Sequence, residues 1–225
     1  MQIQLDHIEA CIFDLDGVLV DTAVFHFLAW GRLAKELGFT LEAGDEEELK
    51  GVSRMAALNI ILKKGGIEVS EDKKVELAAT KNGWYVDYVK DMRPKDTLPG
   101  VREFLEYLAE RNVPVAVASA SKNAPTILDQ TDLRKYFKTV VDGNRTHKAK
   151  PDPEVFLTAA SELGVAPEKC VVFEDAIAGV QGALAGNFTA IGIGEPEILH
   201  QAHLVFAGIS HIDPNIFSFD KISQA

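Results

Sequence analysis

The sequence predicts an α/β fold, a doubly wound and mainly parallel sheet with a helical segment inserted after the first strand. Three observations carry this. Short apolar runs rich in Val and Ile recur along the chain without polar alternation, as in strands buried on both faces. Amphipathic helical stretches separate these runs, and that alternation implies right-handed βαβ units. From about residue 21 to about 93 the alternation stops, and helical periodicity runs on with no convincing strand.

The first apolar run, Ala10–Phe13, is the expected first strand. In the helical segment that follows, Phe27, Leu28, Trp30 and Leu33 form an apolar stripe before Gly38, and 54–63 and 72–90 also read as helices. The α/β pattern resumes with a helix over 99–112, where Val101, Phe104, Leu105 and Leu108 share a face. Strands are expected at 113–118 and 140–141. A helix over 151–164 follows, with Val155, Phe156, Ala159, Ala160 and Leu163 inward and Gly164 as its C-cap. A strand at 171–173 leads to a helix over 175–187 that buries Ile177, Val180 and Leu184 and closes at Gly186. Strands at 190–193 and Leu204–Phe206 complete the sheet, and the final FSFDKISQA is expected to be a closing helix or tail. The division expected is an α/β catalytic core of residues 1–20 and 94–225 around a helical unit of residues 21–93.

Composition narrows the function classes. With 225 residues, 47% hydrophobic and 25% charged, the chain has ample material for a core. Lys plus Arg is 23 and Asp plus Glu is 34, a net charge of 23 − 34 = −11. Such a chain repels phosphate backbones and anionic lipid, so neither nucleic acid nor membrane is an expected partner. An anionic substrate would need positive charge supplied locally. The two cysteines, Cys11 and Cys170, sit far apart in apolar runs with no CxxC spacing, so they read as buried, inert thiols. The N-terminal MQIQLDHIEA lacks the basic-then-apolar pattern of a signal peptide. No apolar run reaches the ~18 residues of a membrane span. The expected location is the cytoplasm.

In open α/β sheets ligands bind at the carboxyl ends of the strands. The first run ends in Asp14-Leu15-Asp16-Gly17, the second in Ser119-Ala120-Ser121-Lys122-Asn123 and the fourth in Glu174-Asp175. Lys150-Pro151 opens the helix before that fourth run. Four carboxylates, a hydroxyl and an ammonium therefore converge on one rim. Carboxylates so crowded need a cation, and an all-oxygen set without His or Cys selects a hard ion, Mg²⁺. A metal, a lysine and hydroxyl donors form a phosphoryl-transfer constellation. One carboxylate can act as nucleophile and the other, two residues on, as general acid and base.

FDLDGVLVDT, the SAS at Ser119, the KP at Lys150 and the EDAIAG at Glu174 resemble the four motifs of the haloacid dehalogenase superfamily. The inserted helices resemble that superfamily's helical cap domain. HFLAWGRLAKELG, LKGVSR, the KN at Lys81, the PG at Pro99 and ASASKN at Ala118 resemble its β-phosphoglucomutase family. The resemblance implies that Asp14 becomes phosphorylated and that Asp16 is the general acid and base. It implies metal ligation by Asp14, Glu174 and Asp175, with the backbone carbonyl of Asp16. Ser119, Ala120 and Lys150 would cradle the transferring phosphoryl group. Arg54 with Ser121, Lys122 and Asn123 would hold the substrate's other phosphate. His26, Trp30, Gly51, Val52, Ser53 and Lys81 would face the sugar or the hinge. It also implies a cis Lys150–Pro151 bond, a monomer, and a small-molecule sugar phosphate as partner. The expected reaction interconverts β-D-glucose 1-phosphate and glucose 6-phosphate through a bisphosphate. The alternatives are a Mg²⁺-dependent sugar-phosphate phosphatase of the same superfamily and a non-catalytic sugar-phosphate-binding module. His147 and Lys148 receive no role.

Overall fold

In the strand Ala10–Phe13 (β2), alternate side chains part to opposite faces, as an extended backbone requires. Cys11 and Phe13 join one apolar cluster, Ala10 and Ile12 another. Val115–Ala118 (β3) and Cys170–Glu174 (β5) divide in the same way, which is why these runs carry no polar alternation. The computed structural model describes residues 5–219. With Thr139–Val141 (β4), Thr189–Ile193 (β6) and Leu204–Phe206 (β7), these strands form a six-stranded sheet in the order β4-β3-β2-β5-β6-β7. Every pairing in it is parallel.

Helices cover both faces. On one face lie Val101–Glu110 (α5), through Val101, Phe104, Leu105 and Leu108, and Ala124–Gln130 (α6), through Ala124, Ile127 and Leu128. Here Phe13 stacks on Phe173 at 4.6 Å and meets Phe104 and Phe137 edge-on. Each such pair contributes about 0.5–1.5 kcal/mol beyond the area it buries. Glu154–Leu163 (α7) and Ile177–Ala185 (α8) cover the other face. Gly164 caps α7 at φ 77°, a conformation that favours glycine. The successive strands run outward in opposite directions from β2, which puts the topological switch point beside it.

Ala23–Glu36 (α1), Asp45–Leu49 (α2), Arg54–Lys64 (α3) and Glu71–Val89 (α4) form a helical layer. Trp30, Leu33, Ala57, Leu58, Ile61, Leu62, Leu77 and Ala78 give it an apolar cluster of its own. Ser53 and Ser70 cap α3 and α4, accepting from the Ala56 and Lys73 amides at 3.3 Å each. The chain passes between the layers twice, and the two passages touch: Val20 bridges Thr97, and the Leu98 amide donates to Leu19 O at 3.0 Å.

Several elements depart from expectation. Phe217–Phe219 is a strand (β8) rather than part of a closing helix or tail; it pairs in parallel with Leu5–Ile8 (β1), a strand the sequence pattern does not predict. The alternation FSF sends Phe217 into the cluster beside Phe104 and Phe173. Residues 220–225 of that tail lie outside the described part. The short helix α2 and the helix α6 were not anticipated. On α1, Leu28 is 53% exposed while Trp30 is buried; two residues apart on a helix is about 200°, so they cannot share a face. Ile177 is exposed and Leu184 half-buried, because α8 turns its small face, Gly179, Val180, Gly182 and Ala183, toward the sheet. Cys11 and Cys170 are free and buried.

Candidate active site

β2 ends at Phe13, and the next backbone amide, of Asp14, donates to Phe173 O at 2.9 Å. Ser119 follows β3 in the same way, its amide on Val141 O at 2.9 Å. Glu174 is the last residue of β5. Three adjacent strands thus deliver Asp14, Ser119 and Glu174 to one edge. Lys150 reaches the same point from the loop before α7, through a Lys150–Pro151 bond that is cis. Its ammonium donates to Asp14 Oδ1 at 2.6 Å, to Ala118 O at 3.3 Å and to Glu174 Oε1. Lys150, Asp14 and Glu174 are all buried. Glu174 Oε2 accepts from the Ala176 amide at 3.0 Å.

Asp14, Glu174 and Asp175 place carboxylate oxygens within 4.8 Å of one another. Burial first, then the Lys150 and Asp14 charges acting in opposite senses, leave Glu174 titrating at about 7. Burial, with Glu174 and Asp14 beside it, holds Asp175 well above the usual carboxylate range. One buried ammonium does not offset this crowding, and the donor set is hard oxygen throughout, so the residues fit a hard divalent cation. Gly17 makes the close approach possible. Its φ is +82°, and a Cβ there would collide with the Asp175 carboxylate.

Asp16 sits apart from this cluster. Thr22 donates to its Oδ1, and His26 Nε2 lies 3.9 Å from the same oxygen. Burial, then the Asp14 charge, raises its carboxyl to about 6. Beyond it Lys81 Nζ meets His26 Nδ1 at 2.8 Å and lies over the rings of Trp30 and Tyr85 at 4.5 and 5.0 Å. His26 stacks on Tyr85 at 3.9 Å. Burial, then the Arg54 charge, lowers Lys81 to about 7. Burial, then Lys81, keeps His26 neutral by pushing it well below its ordinary value.

A cavity of about 630 Å³ lies between the sheet edge and the helical layer. It is lined by Asp14, Asp16, His26, Trp30, Gly51, Val52, Ser53, Arg54, Lys81, Ser119, Ala120, Ser121, Lys122, Lys150 and Asp175. The structure therefore brings together all but two of the residues singled out by sequence. Glu174 lies beneath the wall under Lys150, and Asn123 lies outside the lining, hydrogen-bonded to Asn82 at 3.1 Å. Ser53 spends its hydroxyl lone pair on capping α3, and Ser119 Oγ accepts from the Ser121 amide at 3.0 Å. Both hydroxyl protons stay available to a ligand. Lys50, Thr146, His147 and Lys148 also line the cavity. Thr22, Lys50, Asn82 and Tyr85 are not among the residues expected at the site; the first three lie inside the motifs quoted above, whereas no local feature of the sequence points to Tyr85.

Residues 8–187 match the haloacid dehalogenase-like hydrolase family. The chain is 40% identical over 199 residues to a β-phosphoglucomutase of Bacillus subtilis, covering 88% of each chain. It is 34% identical over 186 residues to a phosphorylated carbohydrates phosphatase of Thermotoga maritima, covering 81% of this chain and 83% of that one. The crystal structure of a β-phosphoglucomutase from Clostridium difficile superposes with a TM-score of 0.89 at 37% identity, over 92% of this chain and 94% of the other. The shared fold, the four strand-end motifs and these matches together show that the chain belongs to the haloacid dehalogenase-like hydrolase family.

Proposed function

We propose that the protein is a β-phosphoglucomutase, interconverting β-D-glucose 1-phosphate and β-D-glucose 6-phosphate through β-glucose 1,6-bisphosphate. One observation carries this beyond the family. The cavity has a nucleophile with its lysine at one end, Asp14 with Lys150, and a half-buried guanidinium elsewhere in its wall. Among the described residues no carboxylate pairs with that guanidinium, Arg54. A sugar bearing two phosphates needs an anion site at each end, whereas simple hydrolysis needs one.

In this reading a phosphoryl group rests on an Asp14 oxygen. Asp16 takes the proton from the sugar's 6-hydroxyl as that oxygen attacks phosphorus, and the Asp14 oxygen–phosphorus bond breaks. The bisphosphate turns end for end. An Asp14 oxygen then attacks the 1-phosphate, and Asp16 returns its proton to the departing C1 oxygen. A carboxyl near 6 suits both directions near neutral pH. Lys150, Ser119 and the backbone at Ala120 hold the transferring group. Arg54, Ser121 and Lys122 hold the other phosphate. His26, Trp30, Gly51, Val52, Ser53 and Lys81 face the sugar. Asp14, Glu174 and Asp175, with the Asp16 carbonyl, would hold Mg²⁺, which when bound neutralises charge on the phosphoryl oxygens. Residues 21–93 act as a cap over a core of residues 1–20 and 94–225. The protein works on small molecules, without nucleic acid or membrane, as a cytoplasmic monomer. Among the described residues no helix is long and apolar enough to cross a membrane.

The phosphatase relative supports a second reading, with water attacking the same phosphoenzyme. Product analysis separates the two. β-Glucose 1-phosphate with Mg²⁺ and a trace of the 1,6-bisphosphate should yield glucose 6-phosphate, with much slower turnover without the trace. Free glucose and inorganic phosphate as the main products would overturn the mutase reading.

A further inference from the structure

Asn82, on α4, makes two hydrogen bonds through a single atom. Its Oδ1 accepts from Arg54 Nη2 at 2.7 Å and from Asn123 Nδ2 at 3.1 Å. Arg54 opens α3 in the helical layer, and Asn123 precedes α6 at the carboxyl edge of the sheet. One amide oxygen thus joins two helices of one layer to a strand-end turn of the other. That turn is ordered in its own right, the Asn123 amide donating to Ser121 Oγ at 3.2 Å. Arg54 lines the cavity; Asn82 and Asn123 do not.

We propose that Asn82 is a positioning residue that aims Arg54 into the cavity, tying it to the Ser121–Asn123 turn so that the two sides of the distal anion site come together. This rests on the mutase reading above. The choice of amide over carboxylate is chemically specific. A neutral acceptor fixes the guanidinium by a charge-assisted hydrogen bond but leaves its charge uncompensated, free for an anionic oxygen. A carboxylate in the same place would hold Arg54 equally well and cancel the charge the substrate needs. Asn82 itself touches no substrate and acts through Arg54 and Asn123.

Two variants test this, assayed in parallel with the parent on β-glucose 1-phosphate with Mg²⁺ and bisphosphate, and on acetyl phosphate, whose single phosphate cannot reach a distal site. Asn82→Ala should raise the KM for β-glucose 1-phosphate about tenfold or more, the usual scale for a hydrogen bond to a charged group. Its kcat should change far less, and its acetyl phosphate consumption and melting temperature should stay close to those of the parent. Asn82→Asp should raise the same KM at least as much, with no loss of melting temperature. An unchanged KM in either variant would overturn the proposal. So would an equal fall in both activities with a lowered melting temperature, which would mark Asn82 as a purely structural residue. A parent enzyme that releases glucose instead of glucose 6-phosphate would refute the mutase reading separately.

Discussion

Asp14 and Asp16 are the same chemical group two residues apart in different surroundings, and the proposed mechanism gives them different tasks. Asp14 faces the Lys150 ammonium at 2.6 Å, and in the proposed reading it is the nucleophile. Asp16 has Thr22 and a neutral His26 beside it and titrates at about 6, which favours a proton carrier. Asp14→Asn should abolish phosphoenzyme formation, read by mass spectrometry after acetyl phosphate treatment. Asp16→Asn should lower turnover by roughly 10²–10⁴-fold while binding of the sugar phosphate survives; near-normal turnover would remove its role. Arg54→Ala should cut mutase turnover much more than acetyl phosphate consumption, and an equal loss of both would make Arg54 structural. Lys81 poses the opposite problem, a buried ammonium. Folded, it loses its proton at about 7, against 10.5 ordinarily. Between those values the unfolded chain binds more protons, so this residue adds stability as pH rises from about 7 toward 10.5 and costs most below 7. Lys81→Met should therefore melt above the parent at pH 6, with the gap narrowing by pH 9. Each kcal/mol relieved is worth roughly 2–4 °C in a chain of this size. A lower melting temperature at both values would mean that Trp30, Tyr85 and His26 more than compensate the buried ammonium.

At the scale of elements, the helices of the inserted layer do two jobs with different faces. α3 begins with Arg54 in the cavity wall and continues with Ala57, Leu58, Ile61 and Leu62 in the helical cluster. Leu58 is fully buried there. Leu58→Ala should cost about 2–5 kcal/mol in urea unfolding, and it should raise the sugar-phosphate KM because Arg54 rides on the same helix. Retained stability would mean that the cluster collapses around the lost methyl groups. The strands were legible as runs because both faces of the sheet are covered, and α5 and α7 were legible because each buries a single apolar stripe. Leu28 and Ile177 misled because an apolar side chain on a helix says nothing about which face has a neighbour. β1 and β8 were missed because each is short and depends on the other for its hydrogen bonds.

Across the whole molecule the two layers meet at a site that concentrates negative charge in an already acidic chain. The crowded set of Asp14 and Glu174, both buried, and half-buried Asp175 opposes folding in the absence of a cation, and a ligand that binds only the folded state stabilises it by mass action. EDTA treatment should abolish turnover and Mg²⁺ should restore it. Mg²⁺ at about 100 times its Kd should add about 2.7 kcal/mol, or about 5–10 °C in melting temperature. Full activity after chelation would remove the metal from the reading.

The sequence by itself determined the parallel sheet, the helical insertion and the placing of Asp14, Ser119, Lys150 and Glu174 at one edge. Strand direction and local apolar pattern are properties of short stretches, and in a parallel sheet the residue after each strand must emerge on the same side. The tertiary structure alone decided how the polar side chains of the helical layer are buried and held. Apart from the family resemblance, nothing in its own stretch of sequence marks Lys81 for burial, yet packing buries it against His26, Trp30 and Tyr85. Thr22 reaches Asp16, and Asn82 joins Arg54 to Asn123 across 28 and 41 residues of chain. The Lys81 and Asn82–Arg54 contacts depend on how α1, α3 and α4 pack on one another, and the Asn82–Asn123 bond on how the helical layer seats on the sheet. That seating is set by many weak apolar contacts acting together, and no single stretch of sequence encodes their sum.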